Sequence, residues 1–177
     1  MANLLTALRL LLVFPMAWSI VSESSPNSLL LLIVLLAIAT DYFDGKVARA
    51  LNTASPRGML FDHGTDFIFV TSSAVALSYI GLISFLLPIL ITLAFSQYVL
   101  DSYFLFKQKQ LRMSFLGRWN GVFYFGPALL YGAVLISPSS TFAELGIGLT
   151  QLLAIALTLS TLASIVDRTL APMRLST

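Results

Sequence analysis

Six long apolar runs alternate with short polar connections along the chain, at about 3–20, 28–51, 58–82, 84–106, 117–137 and 142–170. Each is long enough to cross about 30 Å of hydrocarbon as a helix, at 1.5 Å per residue. The runs are continuous and do not alternate with period two, which excludes a closed β-barrel. Two connections have turn chemistry: Ser-Glu-Ser-Ser-Pro-Asn at 22–27 and Ser-Pro-Ser-Ser-Thr at 137–141. The third and fourth runs part only near 81–85, the least marked boundary. Pro88 and Pro127 fall inside runs, where membrane helices accommodate proline if neighbours satisfy the freed backbone groups. The pattern predicts an all-α, polytopic integral membrane protein with six transmembrane helices, in one domain over 1–177.

Composition agrees with the pattern. Of the 177 residues, 58% are hydrophobic and only 10% charged. A soluble domain carries about 25% charged residues, so both a soluble and a disordered chain are excluded. The first run contains Arg9 and has no basic segment ahead of it, so it reads as an uncleaved helix and not as a leader. With no Cys and one His, disulfides, thiolate nucleophiles and Cys-ligated zinc are excluded.

The basic residues set an orientation. Arg9, then Lys46, Arg49 and Arg57, then Lys107, Lys109, Arg112 and Arg118, then Arg168 and Arg174 all fall toward one side of a six-span layout. The positive-inside rule makes that side cytoplasmic, with both termini there. The excess of two positive charges reflects this orientation and not nucleic-acid binding.

Four acids stand out against this background: Asp41, Asp44, Asp62 and Asp66. An ionised Asp within a membrane helix costs about 2.5–3.5 kcal/mol on insertion scales, so four in 26 residues require compensation. Asp41 and Asp44 are three apart and Asp62 and Asp66 four apart, so each pair shares a helix face. The turn at 51–57 makes the second and third spans antiparallel neighbours, with both acidic faces converging near the cytoplasmic surface. Converging carboxylates call for one or two divalent cations, and oxygen ligands favour Mg²⁺, Mn²⁺ or Ca²⁺ over zinc. Gly45 and Gly58 allow close approach of a ligand, whereas Gly64 reads as helix packing. Arg49 suits a phosphate or an anchoring role.

The string Asp41-Tyr-Phe-Asp44-Gly45-Lys-Val-Ala48-Arg49, eight residues, Gly58, three residues, Asp62, three residues, Asp66 resembles a known signature. D-x-x-D-G-x-x-A-R-x8-G-x3-D-x3-D marks the CDP-alcohol phosphotransferase (CDP-alcohol phosphatidyltransferase) family, class I. All eight fixed positions are present. Asn3-Leu-Leu-Thr6-Ala-Leu-Arg9 is similar to the opening Pro-Asn-x-x-Thr-x-x-Arg of many members, with Ala2 in place of the proline.

The resemblance implies transfer of a phosphatidyl group from CDP-diacylglycerol to a small alcohol, with release of CMP, in phospholipid biosynthesis. It implies that Asp41, Asp44, Asp62 and Asp66 hold two divalent cations, Mg²⁺ first and Mn²⁺ second, and that Asp66 is also the catalytic base. Asn3, Thr6, Gly45, Ala48, Arg49, Ser55 and Gly58 match positions around the CDP donor. It further implies a homodimer among membrane lipids, in a bacterial inner membrane with the site facing the cytoplasm.

Glycerol 3-phosphate is the leading acceptor, with inositol phosphate, serine or another alcohol as alternatives. Arg112, Arg118 and Asp101 are the acceptor-site candidates. Asp62-His63-Gly64-Thr65-Asp66-Phe67 departs from the Asp-Pro-x-Ala-Asp-Lys that many glycerophosphate-accepting members carry. His63 reads as a polar packing residue on another face from Asp62. A cation transporter using intramembrane carboxylates is the alternative from a different class.

Overall fold

A computed structural model describes residues 2–50, 56–100, 115–137 and 139–174. Within them the chain forms eight helical segments and no strand: α1 (Ala2–Leu11), α2 (Val13–Val21), α3 (Leu29–Ala50), α4 (Pro56–Tyr79), α5 (Leu86–Leu100), α6 (Phe115–Phe123), α7 (Gly126–Leu135) and α8 (Ser140–Arg174). Two pairs are single rods with a break, so the eight segments make six rods in the places the apolar runs predict.

Proline sets both breaks. Its ring clashes with the carbonyl four residues earlier and it has no N–H to donate. Four before Pro15 is Leu11, the last residue of α1; four before Pro127 is Phe123, the last residue of α6. The linking residues Leu12 and Phe125 keep right-handed helical dihedrals, so each rod continues without reversing. Pro127 therefore opens a new segment and is not absorbed within a continuous helix.

The ambiguous boundary between the third and fourth runs is resolved by a glycine. Gly81 has φ +76, the left-handed conformation that costs glycine least. Its N–H bonds to the Ser78 carbonyl at 3.0 Å and that of Leu82 to the Leu77 carbonyl at 3.0 Å, the paired bonds of a Schellman cap. These bonds satisfy the last carbonyls of α4 and turn the chain into α5.

The rods close into a ring. The α1–α2 rod packs against both α3 and α4, α3 against α7, α7 against α8, α8 against α5, and α5 against α4. This differs from the direct antiparallel pairing of spans two and three expected above. Among the described residues, α3 and α4 do not pair extensively with each other, because the first rod is interposed. The acids they carry consequently meet across α1.

Burial is partly inverted relative to a soluble protein. Arg9, Thr150 and Thr161 are fully buried, and Thr6, Asp44 and Asn120 nearly so. Phe142, Leu145, Leu149, Leu152, Ile155 and Leu159 form a stripe along α8 that faces outward. Exposed apolar surface on this scale marks a membrane or partner contact. α8 is long and apolar enough to cross a membrane over Ser140–Leu170, and Leu5–Val21 and Leu86–Leu100 are shorter apolar helices. Polar pairs join the rods inside: Ser160 Oγ donates to Asn120 Oδ1 at 2.7 Å, and the Tyr124 and Thr161 hydroxyls lie 2.8 Å apart. Such bonds tie α6 to α8, where neither lipid nor water supplies an easy substitute.

Close backbone approach places α7 on α3. A Cβ on Gly132 would lie 3.0 Å from both the Cα and the N of Leu31, backbone atoms that cannot swing away. Gly132→Val is expected to lose about 1–3 kcal/mol of stability through overpacking. Thermal unfolding in detergent measures this, and a wild-type midpoint would contradict so tight a contact.

Candidate metal and substrate site

The four acids meet near the helix ends that the short 51–55 connection joins. Asp41 and Asp44 lie six to nine residues before the end of α3, and Asp62 and Asp66 lie six to ten after the start of α4. Arg9 reaches between them from α1. Its Nη1 donates to Asp62 Oδ1 at 3.1 Å and to Asp66 Oδ1 in a shorter contact. Its Nη2 lies 3.4 Å from Asp41 Oδ1 and 3.9 Å from Asp44 Oδ2. One guanidinium thus faces all four carboxylates, and its side chain is 0% exposed. At an effective dielectric of about 20, each charge pair at 4 Å is worth on the order of 4 kcal/mol. Attraction to Arg9 therefore has to offset mutual repulsion of the same order among the acids.

Thr6 supports the constellation. It is one helical turn before Arg9 on α1, and its Oγ1 donates to Asp44 Oδ2 at 2.8 Å. That bond fixes the most buried acid and leaves Asp44 Oδ1 buried with no hydrogen-bond partner among the described residues. A buried carboxylate oxygen without a donor costs free energy unless a cation or water reaches it.

The donor set fits divalent cations. Asp62, His63 and Asp66 each offer a ligand atom, and these atoms all lie within 4.8 Å of one another. His63, read from the sequence as a packing residue, brings a ring nitrogen to this group and also stands edge-on to Tyr98 at 6.3 Å. The orphaned Asp44 oxygen, the four formal negative charges and the predominance of oxygen donors suit a hard ion. One Arg against four acids leaves the cluster at a formal charge of −3.

A cavity of about 370 Å³ opens beside the cluster. Asp41, His63 and Asp66 form part of its wall, and Tyr98, Arg118 and Arg168 form another part. The rest of the lining is largely apolar. The Arg168 guanidinium lies over the Tyr98 ring at 5.2 Å from the centroid. Two carboxylates and two guanidinium groups thus share one apolar-walled space, a setting for an anionic group beside a base.

The other predicted site residues divide. Thr6 joins the cluster, and Arg118 lines the cavity. Gly58 lies on α4, four residues before Asp62. Ser55, Asp101 and Arg112 lie outside the described residues, as do the side chains of Asn3, Ala48 and Arg49 and the surroundings of Gly45. Gly64 is not the packing residue expected: among the described residues, nothing lies within 4 Å of where its Cβ would sit. Arg9, His63, Tyr98 and Arg168 were not among the site candidates. A signal for Arg9 exists, since a charge inside an apolar run needs a partner and its i−3 neighbour is Thr6. No comparable pattern marks Tyr98 or Arg168, which reach the cavity only through the packing of α5 and α8.

A family model described as CDP-alcohol phosphatidyltransferase matches residues 1–166, nearly the whole chain. That family consists of membrane-associated enzymes that transfer phosphate-containing groups and need divalent cations. No curated protein matches the chain. An enzyme family of this kind displaces the transporter alternative.

Asp44→Asn is expected to abolish the rise in unfolding temperature that Mn²⁺ or Mg²⁺ gives the wild-type protein in detergent. An unchanged metal-dependent rise would remove Asp44 from the ligand set.

Proposed function

This chain belongs to the CDP-alcohol phosphatidyltransferase family, and we propose that it transfers the phosphatidyl group of CDP-diacylglycerol to glycerol 3-phosphate, releasing CMP. The observation that carries this reading is the convergence of Asp41, Asp44, Asp62 and Asp66 beside a cavity that also contains Arg118 and Arg168. In this reading the six rods cross a bacterial inner membrane as one domain over 1–177, with both termini and the site at the cytoplasmic face. The outward apolar stripe of α8 supports lipid contact, and a homodimer follows the family pattern.

Asp41, Asp44, Asp62 and Asp66 would hold two divalent ions, Mg²⁺ by preference. When bound, these ions neutralise the donor's diphosphate and the charge that develops on the departing CMP. The protein's own groups do the rest by positioning and proton transfer. Asp66 lies in the cavity wall, within reach of an alcohol seated there, and takes its proton. The acceptor oxygen forms a bond to the phosphorus that bears the diacylglycerol. The bond from that phosphorus to the oxygen bridging it to CMP breaks, and CMP leaves with the bonding pair. In this reading Asn3, Thr6, Gly45, Ala48, Arg49, Ser55 and Gly58 occupy the positions that family members use around the donor nucleotide. Thr6 does so from the first rod, where it also orients Asp44.

Arg118 and Arg168 favour a phosphorylated acceptor over a neutral one, because two guanidinium groups in an apolar wall suit a phosphate. Arg112 and Asp101, outside the described residues, are proposed as further acceptor-binding groups. Inositol phosphate meets the same requirement and is the second reading; serine does not.

Purified protein with Mg²⁺, CDP-diacylglycerol and a panel of alcohols tests the reading through CMP release. Release is expected with glycerol 3-phosphate and not with glycerol, and no release with any acceptor would overturn the reading. Asp66→Asn is expected to lower kcat by a factor of about 10² or more while donor binding persists, in line with loss of a general base. Arg168→Gln is expected to raise KM for the phosphorylated acceptor with a smaller effect on the donor.

A further inference from the structure

The position of Arg9 is unusual for a structural ion pair. A permanently paired buried guanidinium is ordinarily held by bonds that use its fork of donors. Among the described residues only Nη1 makes hydrogen bonds, to Asp62 and Asp66. Nε and Nη2 are buried and have no hydrogen-bond partner among the described residues. Asp44 Oδ1 is in the same condition. The guanidinium is therefore held by charge more than by fit, at the point where all four carboxylates face one another. A divalent ion ligated by the same oxygens needs that point.

We infer that Arg9 is a resident counter-cation of the Asp41–Asp44–Asp62–Asp66 cluster, exchanging with divalent ions at its centre and so weakening the enzyme's metal affinity. The inference rests on the metal-binding reading above. Without ions, Arg9 keeps four acids assembled that would otherwise repel one another apart. When an ion enters, the Nη1 bonds to Asp62 and Asp66 have to be given up, because a guanidinium and a dication cannot share those oxygens without repulsion. Thr6 stays on Asp44 throughout, so the cluster is not dismantled when Arg9 turns away. His63 lies within ligand distance of the two acids that Arg9 releases.

The test is direct Mn²⁺ binding, read by electron paramagnetic resonance on wild-type protein, Arg9→Gln and Arg9→Lys in detergent. Arg9→Gln is expected to bind Mn²⁺ about tenfold or more tightly, since one charge at this range moves an ionisation equilibrium by about one to three decades. Arg9→Lys keeps the charge and is expected to stay near wild type. Equal or weaker binding by Arg9→Gln overturns the inference, because a purely structural arginine gives that result. If Arg9→Gln does not fold, wild-type protein decides: the Arg9 Nε–Hε nuclear magnetic resonance signal, identified by its loss in Arg9→Lys, is expected to shift as Mg²⁺ saturates the site. An unmoved signal at saturation overturns the inference. Absence of Mn²⁺ binding in wild type and both variants removes the metal reading itself, and the inference with it.

Discussion

One guanidinium set among four carboxylates is the constraint around which this structure is built. Four acids cannot be assembled in an apolar bundle unless positive charge stands among them, and Arg9 supplies it from the first rod. The cost of an uncompensated charge in such surroundings is large enough to decide topology. The first rod lies between α3 and α4, and the two acidic helices meet across it and not along each other. The breaks at Leu12 and Tyr124–Phe125 divide two rods into segments that pack against their neighbours around the ring.

The same arrangement leads from fold to chemistry. The cluster still carries a formal charge of −3, and the Asp44 Oδ1 atom is buried without a donor among the described residues. Both features suit further cations. Beside them lies a space walled mostly by apolar side chains, with Arg118 and Arg168 at hand. In the proposed function the acids would serve cations and a base, and Arg118 and Arg168 in the same cavity would serve a phosphate. Low surrounding polarity strengthens both interactions.

Helix existence was legible because apolar runs of this length have few alternatives in a chain with so little charge. Helix interruption was less so. Pro127 reads as tolerated within a span, whereas the helix in fact restarts at Gly126 with the proline in its first turn. Gly81 shows the converse case: a single glycine at the least marked boundary turned out to be the left-handed residue of a well-formed cap. Gly64 does not pack as its small size suggests, since among the described residues nothing lies within 4 Å of where its Cβ would sit.

The sequence alone determined the all-helical character, the six rods and the four acids with their i, i+3 and i, i+4 spacing. Each follows from local rules: hydrophobic run length, helical periodicity and the expense of an intramembrane charge. It also contained the family signature, because that signature lies within 26 consecutive residues. Tertiary structure alone decided that Arg9 stands at the centre of the acids, that His63 joins Asp62 and Asp66, and that Tyr98 and Arg168 share a cavity with Asp66. These partners are up to about a hundred residues apart in the chain. Which side chains meet over such separations depends on which rods are neighbours, and no local pattern encodes that.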